Sequence, residues 1–116
     1  MAILGELEQR IMDTLWQQRT PVSVRFVHES LLSERELAYT TVMTVLDRLA
    51  KKGLVDRERD ARAWLYTAGT SQARLVSDSL AEVLQQAGSH RSEVLRQFTD
   101  ALTEQDRATL REALRS

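Results

Sequence analysis

Residues 38–55 constrain the fold more than any other stretch of this sequence. Apolar side chains recur there at the spacing of one face of an α-helix: Val42, Val45, Leu46 and Leu49. Gly53 follows this pattern, and glycine is typical of the position just past a helix C-terminus. The stretch therefore predicts a helix over about residues 38–52 with one buried face.

A second face of this helix carries hydroxyl groups at its N-terminal end and cations at its C-terminal end. Its members lie at i, i+3, i+7 and i+10: Thr41, Thr44, Arg48 and Lys51. Short hydroxyl and methyl groups suit contact with base edges, and cations suit phosphates. With Thr40, three threonines occur within five residues, although threonine is a poor helix former. The face therefore predicts contact with DNA; the alternative is a set of ordinary exposed helix residues.

A basic hairpin is predicted directly after the helix, with strands near residues 54–59 and 63–67. The bulky side chains of residues 64–66 favour a strand. Three arginines alternate with three acidic residues: Arg57, Arg59 and Arg62 with Asp56, Glu58 and Asp60. Two interpretations stay open: phosphate contact by at least one arginine, and a hairpin held by its own salt bridges. A helix that leads into a basic hairpin is the layout of a winged helix-turn-helix.

The rest of the N-terminal part is also helical in pattern. A first helix is marked by Leu4, Leu7, Ile11 and Leu15. Ser23 is placed to cap a second helix, whose inward-facing residues are Val24, Val27 and Leu31. A polar connector, Ser33-Glu34-Arg35-Glu36, leads to the third helix. Gly69-Thr70-Ser71 is the best boundary, which predicts a winged-helix DNA-binding domain over residues 1–69 and a helical dimerisation domain over residues 70–116.

Three helical patterns follow the boundary, interrupted at Gly88-Ser89, and Thr103 begins a sequence that resembles a capping box. Such short helices are not stable alone, so their apolar stripes need a partner, and a second copy of the chain is the simplest one. The predicted dimerisation residues are Val76, Leu80, Val83, Leu84, Val94, Leu95, Phe98, Leu102, Leu110 and Leu114. The predicted fold class is therefore mainly α with a small β wing: a winged helix-turn-helix followed by C-terminal dimerisation helices.

Charge is distributed unevenly along the 116 residues. The net charge is −1, which argues weakly against binding to nucleic acid, but residues 37–68 carry six basic and four acidic side chains, a net of +2. The positive excess thus falls on the segment predicted to contact DNA, and distribution matters more than the total.

Several other classes of function are not supported by the composition. The absence of cysteine excludes disulfides and thiolate chemistry, and His28 and His90 lack obvious metal-ligand partners. We find no nucleophile motif and no phosphate-binding glycine loop, so we expect no enzyme activity, metal or cofactor. No apolar run approaches the ~20 residues of a membrane span, and no signal region opens the chain. We therefore expect a cytoplasmic protein without membrane insertion.

Three segments resemble one known family. They are Leu4-Gly5-Glu6-Leu7-Glu8 with Ile11-Met12 and Leu15-Trp16, then residues 38–49 with Lys51-Lys52-Gly53-Leu54-Val55, and finally Arg62-Ala63-Trp64-Leu65-Tyr66. They look like the opening helix, the recognition helix with the first wing strand, and the second wing strand of the penicillinase-repressor family, also called BlaI/MecI/CopY. The similarity covers about residues 4–114.

The resemblance implies a homodimeric bacterial transcriptional repressor. Its winged helix would bind an inverted-repeat operator in double-stranded DNA, in promoters of β-lactamase or related genes, and its C-terminal helices would interlock with those of the second copy. Thr40, Thr41 and Thr44 would face bases, and phosphates would be held by Ser23, Arg48, Lys51, Lys52, Arg59 and Arg62. Tyr39 completes the predicted DNA-binding set.

The resemblance also concerns regulation. In some family members a membrane-sensor pathway cleaves an Asn-Phe bond in the C-terminal helices; the matching place here is Gln97-Phe98, with glutamine instead of asparagine. A regulatory protease or sensor pathway is therefore a further expected partner. The copper-sensing branch uses a C-terminal cysteine cluster, which this chain lacks. Two alternative functions stay open: a ligand-sensing winged-helix regulator of another type, and a winged helix used only for protein–protein contact.

Overall fold

The structure is a computed structural model that describes residues 4–34 and 36–116. Its helices and strands, in chain order, are α1 (Glu6–Trp16), β1 (Val22–Ser23), α2 (Val24–Leu32), α3 (Tyr39–Lys51), β2 (Val55–Asp60), β3 (Ala63–Ala68), α4 (Gln72–Gln85), a 3-10 turn (Gly88–His90), α5 (Arg91–Ala101) and α6 (Glu104–Arg115). This mainly helical architecture with a small β wing confirms the predicted fold class. Arg35 of the predicted connector, and residues 1–3 of the predicted first domain, lie outside the described residues.

Two compact units divide the chain within α4, one up to Asp78 and the other Ser79–Ser116. The predicted domain boundary at residues 69/70 stays a prediction. No helix of the described residues is long and apolar enough to cross a membrane.

The first unit packs α1, α2 and α3 on one hydrophobic core. The predicted apolar stripe of α3 is almost fully buried, and it meets Ile11, Met12 and Leu15 of α1 and Val27 and Leu31 of α2. Burial of such side chains contributes roughly 1.5–3 kcal/mol each, so this stripe sets which way α3 turns its other face.

The ends of the helices follow the predicted signals. Ser23 caps α2, because its Oγ accepts a hydrogen bond from the Phe26 N–H at 3.1 Å. After α3, Gly53 has φ +82°, and the N–H groups of Gly53 and Leu54 donate to the carbonyls of Ala50 and Leu49, both at 3.0 Å. This is a Schellman motif, in which glycine tolerates the left-handed conformation that ends the helix.

The wing is a three-stranded antiparallel sheet in the order β1-β3-β2. The strands β2 and β3 begin and end within one residue of their predicted limits, whereas β1 was not predicted. It pairs with β3 through Val22 opposite Tyr66 and Ser23 opposite Leu65. Two residues give no readable alternation, so the sequence carries no local signal for this strand.

The second unit contains the end of α4, the 3-10 turn, α5 and α6. The turn begins at Gly88, where the helical pattern was predicted to break, and Gly88 has φ +54°. Thr103 caps α6 by accepting the Asp106 N–H at 3.1 Å. Large apolar side chains in this unit are exposed in the single chain, among them Leu80 at 57%, Phe98 at 47% and Leu114 at 84%.

Candidate nucleic-acid interface

The exposed face of α3 is the centre of the candidate interface. It lies beside the buried stripe and carries Thr40, Thr41, Thr44 and Arg48, which with the edge of Val45 line a shallow depression of about 270 Å³. The structure thus brings together four of the predicted DNA-binding residues. Because the apolar stripe fixes the rotation of α3 on the core, this face is turned to solvent.

The hydroxyl of Thr44 has a defined orientation on this face. Its Oγ1 donates a hydrogen bond to the Thr40 carbonyl at 2.8 Å, one turn earlier in the helix. The proton is therefore used within α3, while the oxygen lone pairs and the methyl group stay available at the surface. Such a threonine suits a base-edge donor or the methyl group of thymine.

The two lysines at the end of α3 have different environments. Lys51 Nζ lies 3.0 Å from Asp47 Oδ2 one turn earlier, and its side chain is 73% exposed. Lys52 Nζ instead binds Glu8 Oε2 of α1 at 2.8 Å. This contact, followed by the Gly5 N–H, lowers the pKa of Glu8, because both donors stabilise the carboxylate. Lys51 is thus directed to solvent, whereas Lys52 ties α3 to α1.

The hairpin separates its charges between its two faces. Alternate residues of a strand point to opposite sides, so Arg57 and Arg59 share one face with Trp64, and the acidic residues of β2 occupy the other. Within residues 55–68, all of which are described, no arginine forms an ion pair with an acidic residue of the hairpin. The interpretation of a hairpin held by its own salt bridges was therefore wrong.

The remaining predicted residues lie around these two elements. Tyr39 begins α3, is 45% exposed and meets the His28 ring edge-on at a centroid distance of 5.7 Å. Ser23 is half-buried and serves as the cap of α2. Arg62 is exposed in the two-residue turn between β2 and β3. The DNA contacts of all these residues stay predictions.

The pairing of Asp47 with Arg57 on this surface was not predicted from the sequence. Arg57 Nη1 of β2 donates to Asp47 Oδ1 of α3 at 2.9 Å. In the alternating charges of the hairpin, Arg57 is only one of three arginines, and Asp47 lies outside that pattern. No local pattern shows that a side chain in the strand reaches back to the helix, because the contact depends on how the hairpin folds against α3.

The three-helix core, the exposed face of α3 and the hairpin after it define a winged-helix DNA-binding module. The fold resembles the solution structure of the DNA-binding domain of the repressor BlaI, with a TM-score of 0.54 and 23% identity over 60% of this chain and 84% of that chain. It also resembles the monomeric form of Bacillus licheniformis BlaI in complex with the blaP half-operator, with a TM-score of 0.52 and 22% identity over 61% and 85% of the two chains.

The sequence defines the class of protein more narrowly than the fold does. The model of the family described as Penicillinase repressor matches residues 4–116. The chain is 44% identical to the transcriptional regulator BlaI of Mycobacterium tuberculosis, in strains CDC 1551 / Oshkosh and ATCC 25618 / H37Rv, over 113 residues that cover 96% of this chain and 82% of the relative. The chain belongs to the penicillinase repressor family.

Membership of this family confirms the resemblance on which part of the sequence analysis rested. The protein is a DNA-binding transcriptional repressor, a class of regulators and not of enzymes. The family assignment favours this function over a winged helix used only for protein–protein contact.

Proposed function

We propose that the protein represses transcription as a homodimer that binds an inverted-repeat operator in promoters of β-lactamase or related genes. The observation that carries this proposal is the exposed face of α3, where threonines and Arg48 meet at one depression beside the buried stripe. Each copy would read one half of the repeat with this face, and a dimer on a promoter would exclude polymerase. Such a repressor would act in the cytoplasm.

The role that we propose for each side chain of the interface follows from its environment. The threonines of α3 would face bases in the major groove, since their short side chains allow close approach. Arg48 and Lys51, with Arg59 and Arg62 of the wing, would hold phosphates because their side chains are exposed. Lys52 and Ser23 would contribute less to DNA binding, because Lys52 already pairs with Glu8 and Ser23 caps the N-terminus of α2.

Exposed apolar side chains support dimerisation through the C-terminal helices. All ten predicted dimerisation residues are exposed or half-buried in the single chain. Seven residues on α4 and α5 surround an apolar cavity of about 280 Å³: Leu80, Ala81, Val83, Leu84, Val94, Leu95 and Phe98. A second copy would bury this surface, since contiguous apolar patches are rarely left in water.

The same cavity is the observation that favours the alternative of a ligand-sensing regulator. Its volume is close to the lower limit of about 300 Å³ for small-molecule sites. Because its lining consists of predicted dimerisation residues and Ala81, a side chain of the second copy would fill it equally well. We therefore prefer the dimer.

Release from DNA by a regulatory protease or sensor pathway is the proposed mode of induction. The matching bond, Gln97–Phe98, lies inside α5, where Gln97 Nε2 donates to Glu93 Oε1 at 3.2 Å. Proteolysis there requires local unfolding of α5. Mass spectrometry of the chain from cells before and after exposure to a β-lactam tests this step; an intact chain under inducing conditions contradicts it.

The proposed function is tested by retaining genomic DNA fragments on the purified protein and sequencing them. We expect fragments from promoters with an inverted repeat, and log K for a recovered duplex should fall with log salt, because each phosphate contact contributes about −0.9 to the slope. Retention of fragments without a common sequence, or binding that is independent of salt, would contradict the proposal.

A further inference from the structure

Asp47 is an acidic residue on the face of α3 that is proposed to meet DNA. It follows Thr44 by one turn and precedes Lys51 by one turn, so all three lie on one side of the helix. A carboxylate there repels phosphates and by charge alone weakens binding.

Each oxygen of the Asp47 carboxylate binds a different cation. Oδ2 lies 3.0 Å from Lys51 Nζ in the same helix, and Oδ1 accepts the hydrogen bond from Arg57 Nη1 of β2 at 2.9 Å. The contact with Lys51, followed by that with Arg57, lowers the pKa of Asp47, which therefore stays ionised near neutral pH. One side chain thus connects the recognition helix with the first strand of the wing.

Arg57 is held by the wing on its other sides. Its Cζ lies 4.6 Å from the centroid of the Trp64 ring, and Arg59 Cζ lies 5.2 Å from the same centroid. Hydrogen bonding with Tyr66, ahead of that with Asp47, raises the pKa of Arg57. The Arg57 side chain is only 31% exposed, so much of its surface already contacts protein. Arg57 thus connects α3 with the wing, whereas Arg59 lies over the same ring but is exposed.

We propose that Asp47 is a positioning residue for DNA binding. Through Arg57 and Trp64 it fixes the wing against α3, so that Lys51 and Arg59 meet the DNA backbone with a set spacing. This inference rests on the proposed function of the α3 face. A surface ordered before binding loses less conformational freedom when it binds, and this gain outweighs the repulsion from one carboxylate that is already paired with two cations.

The first test compares Asp47→Asn with Glu58→Gln. Each removes one negative charge with little change in shape, but Glu58 is exposed on the opposite face of β2. If only charge mattered, both variants would bind every duplex more tightly. We expect Asp47→Asn instead to bind a duplex recovered from genomic DNA about fivefold or more weakly, and to bind a scrambled duplex more weakly as well, because Lys51 and Arg59 contact the backbone of both. Equal behaviour of the two variants would overturn the proposal.

A second test needs no DNA. The chain has two tryptophans, so Trp16→Phe leaves Trp64 as the only fluorescent indole. In this background we expect Asp47→Asn to increase quenching of Trp64 by acrylamide, because Arg57 is released, and Glu58→Gln to leave it unchanged. Circular dichroism checks that each variant is folded.

The two tests separate the two proposals. Unchanged quenching in Asp47→Asn would overturn the positioning role, whether or not the protein binds DNA. A wild-type chain that binds no duplex in a salt-dependent manner would overturn the proposed function instead. In a double-mutant cycle, Arg57→Gln should weaken specific binding as Asp47→Asn does, and their combination should add little, because both remove the same contact.

Discussion

Thr41 and Thr44 share the exposed face of α3 but use their hydroxyls differently. Thr44 donates to the Thr40 carbonyl, whereas among the described residues the Thr41 hydroxyl has no hydrogen-bond partner. Thr41 is therefore free to donate or accept at a base edge, while Thr44 offers lone pairs and a methyl group. Two neighbouring threonines on one surface are thus suited to different base-pair features.

Replacing either threonine should reduce specific binding. We expect Thr41→Ala and Thr44→Ala each to weaken binding to a recovered duplex by about 1–3 kcal/mol, the scale of a good base contact, with little effect on a scrambled duplex. Thr109→Ala is the matched control, because Thr109 is exposed on α6 and donates to the carbonyl one turn earlier, as Thr44 does. Equal losses on both duplexes in a fluorescence anisotropy titration would show that the threonines do not read sequence.

Lys51 and Lys52 are adjacent but should respond differently to replacement. Lys51→Ala should reduce the slope of log K against log salt by about 1 for each phosphate that the variant no longer neutralises. Lys52→Ala should change this slope less and should lower the free energy of unfolding by up to about 1 kcal/mol, the scale of a partly exposed ion pair. A salt titration and a urea titration of both variants measure the two effects, and the reverse assignment would contradict the structure.

The sequence could not distinguish these two lysines. Their partner acids differ in sequence separation, since Asp47 is four residues from Lys51 but Glu8 is 44 residues from Lys52. The pair of Asp47 and Lys51 can be predicted from helical spacing, whereas the pair of Glu8 and Lys52 depends on the packing of α1 against α3. The face of α3 was predictable because its apolar stripe and its threonines follow the same helical period.

At the scale of the elements, the contact between α1 and α3 should make stability depend on pH. The pKa of Glu8 is lower in the folded protein, mainly through the hydrogen bond from Lys52. Its contribution to stability is therefore complete above the ordinary glutamate pKa of about 4.3 and is lost as the pH falls through the lower folded pKa.

Denaturant titrations at several pH values measure this contribution. The free energy of unfolding of the wild type should decrease more on acidification below about pH 4.3 than that of Glu8→Gln, because glutamine has no proton to bind. Lys52→Ala should remove much of the same pH dependence, since it removes the largest cause of the lowered pKa. Parallel pH profiles for wild type and both variants would be the contrary result.

Among the elements, β1 and the charge distribution of the wing show two different limits of prediction. Val22 and Ser23 form a strand only because β3 passes beside them, so their sequence carries no local signal. The alternation in β2 was visible in the sequence, but neighbours in a strand point to opposite faces and do not pair. Residues 55–68 therefore lack the internal ion pairs that their charge pattern first indicated.

At the scale of the whole molecule, several large apolar side chains of Ser79–Ser116 are exposed in the single chain. We expect the wild type to be a dimer and Leu80→Asp or Phe98→Asp to be monomeric, because a dimer interface would bury the new carboxylate without a partner. Leu32→Asp in α2 is the matched control, since Leu32 is 46% exposed and Phe98 47%. Light scattering at micromolar concentration measures the mass, and a monomeric wild type would refute the dimer.

The separation of charges in the wing has a consequence for insertions and deletions in this family. One extra residue between Val55 and Asp56 would shift every later residue of β2 by one position and exchange the cationic face with the acidic one. Two extra residues would restore the original sides. Insertions of an odd and an even number of residues should therefore have different effects. One extra residue should weaken binding to a scrambled duplex, because Arg59 leaves the DNA face, whereas two extra residues should retain more of it. Equal affinities of the two variants would show that a local bulge absorbs the extra residue.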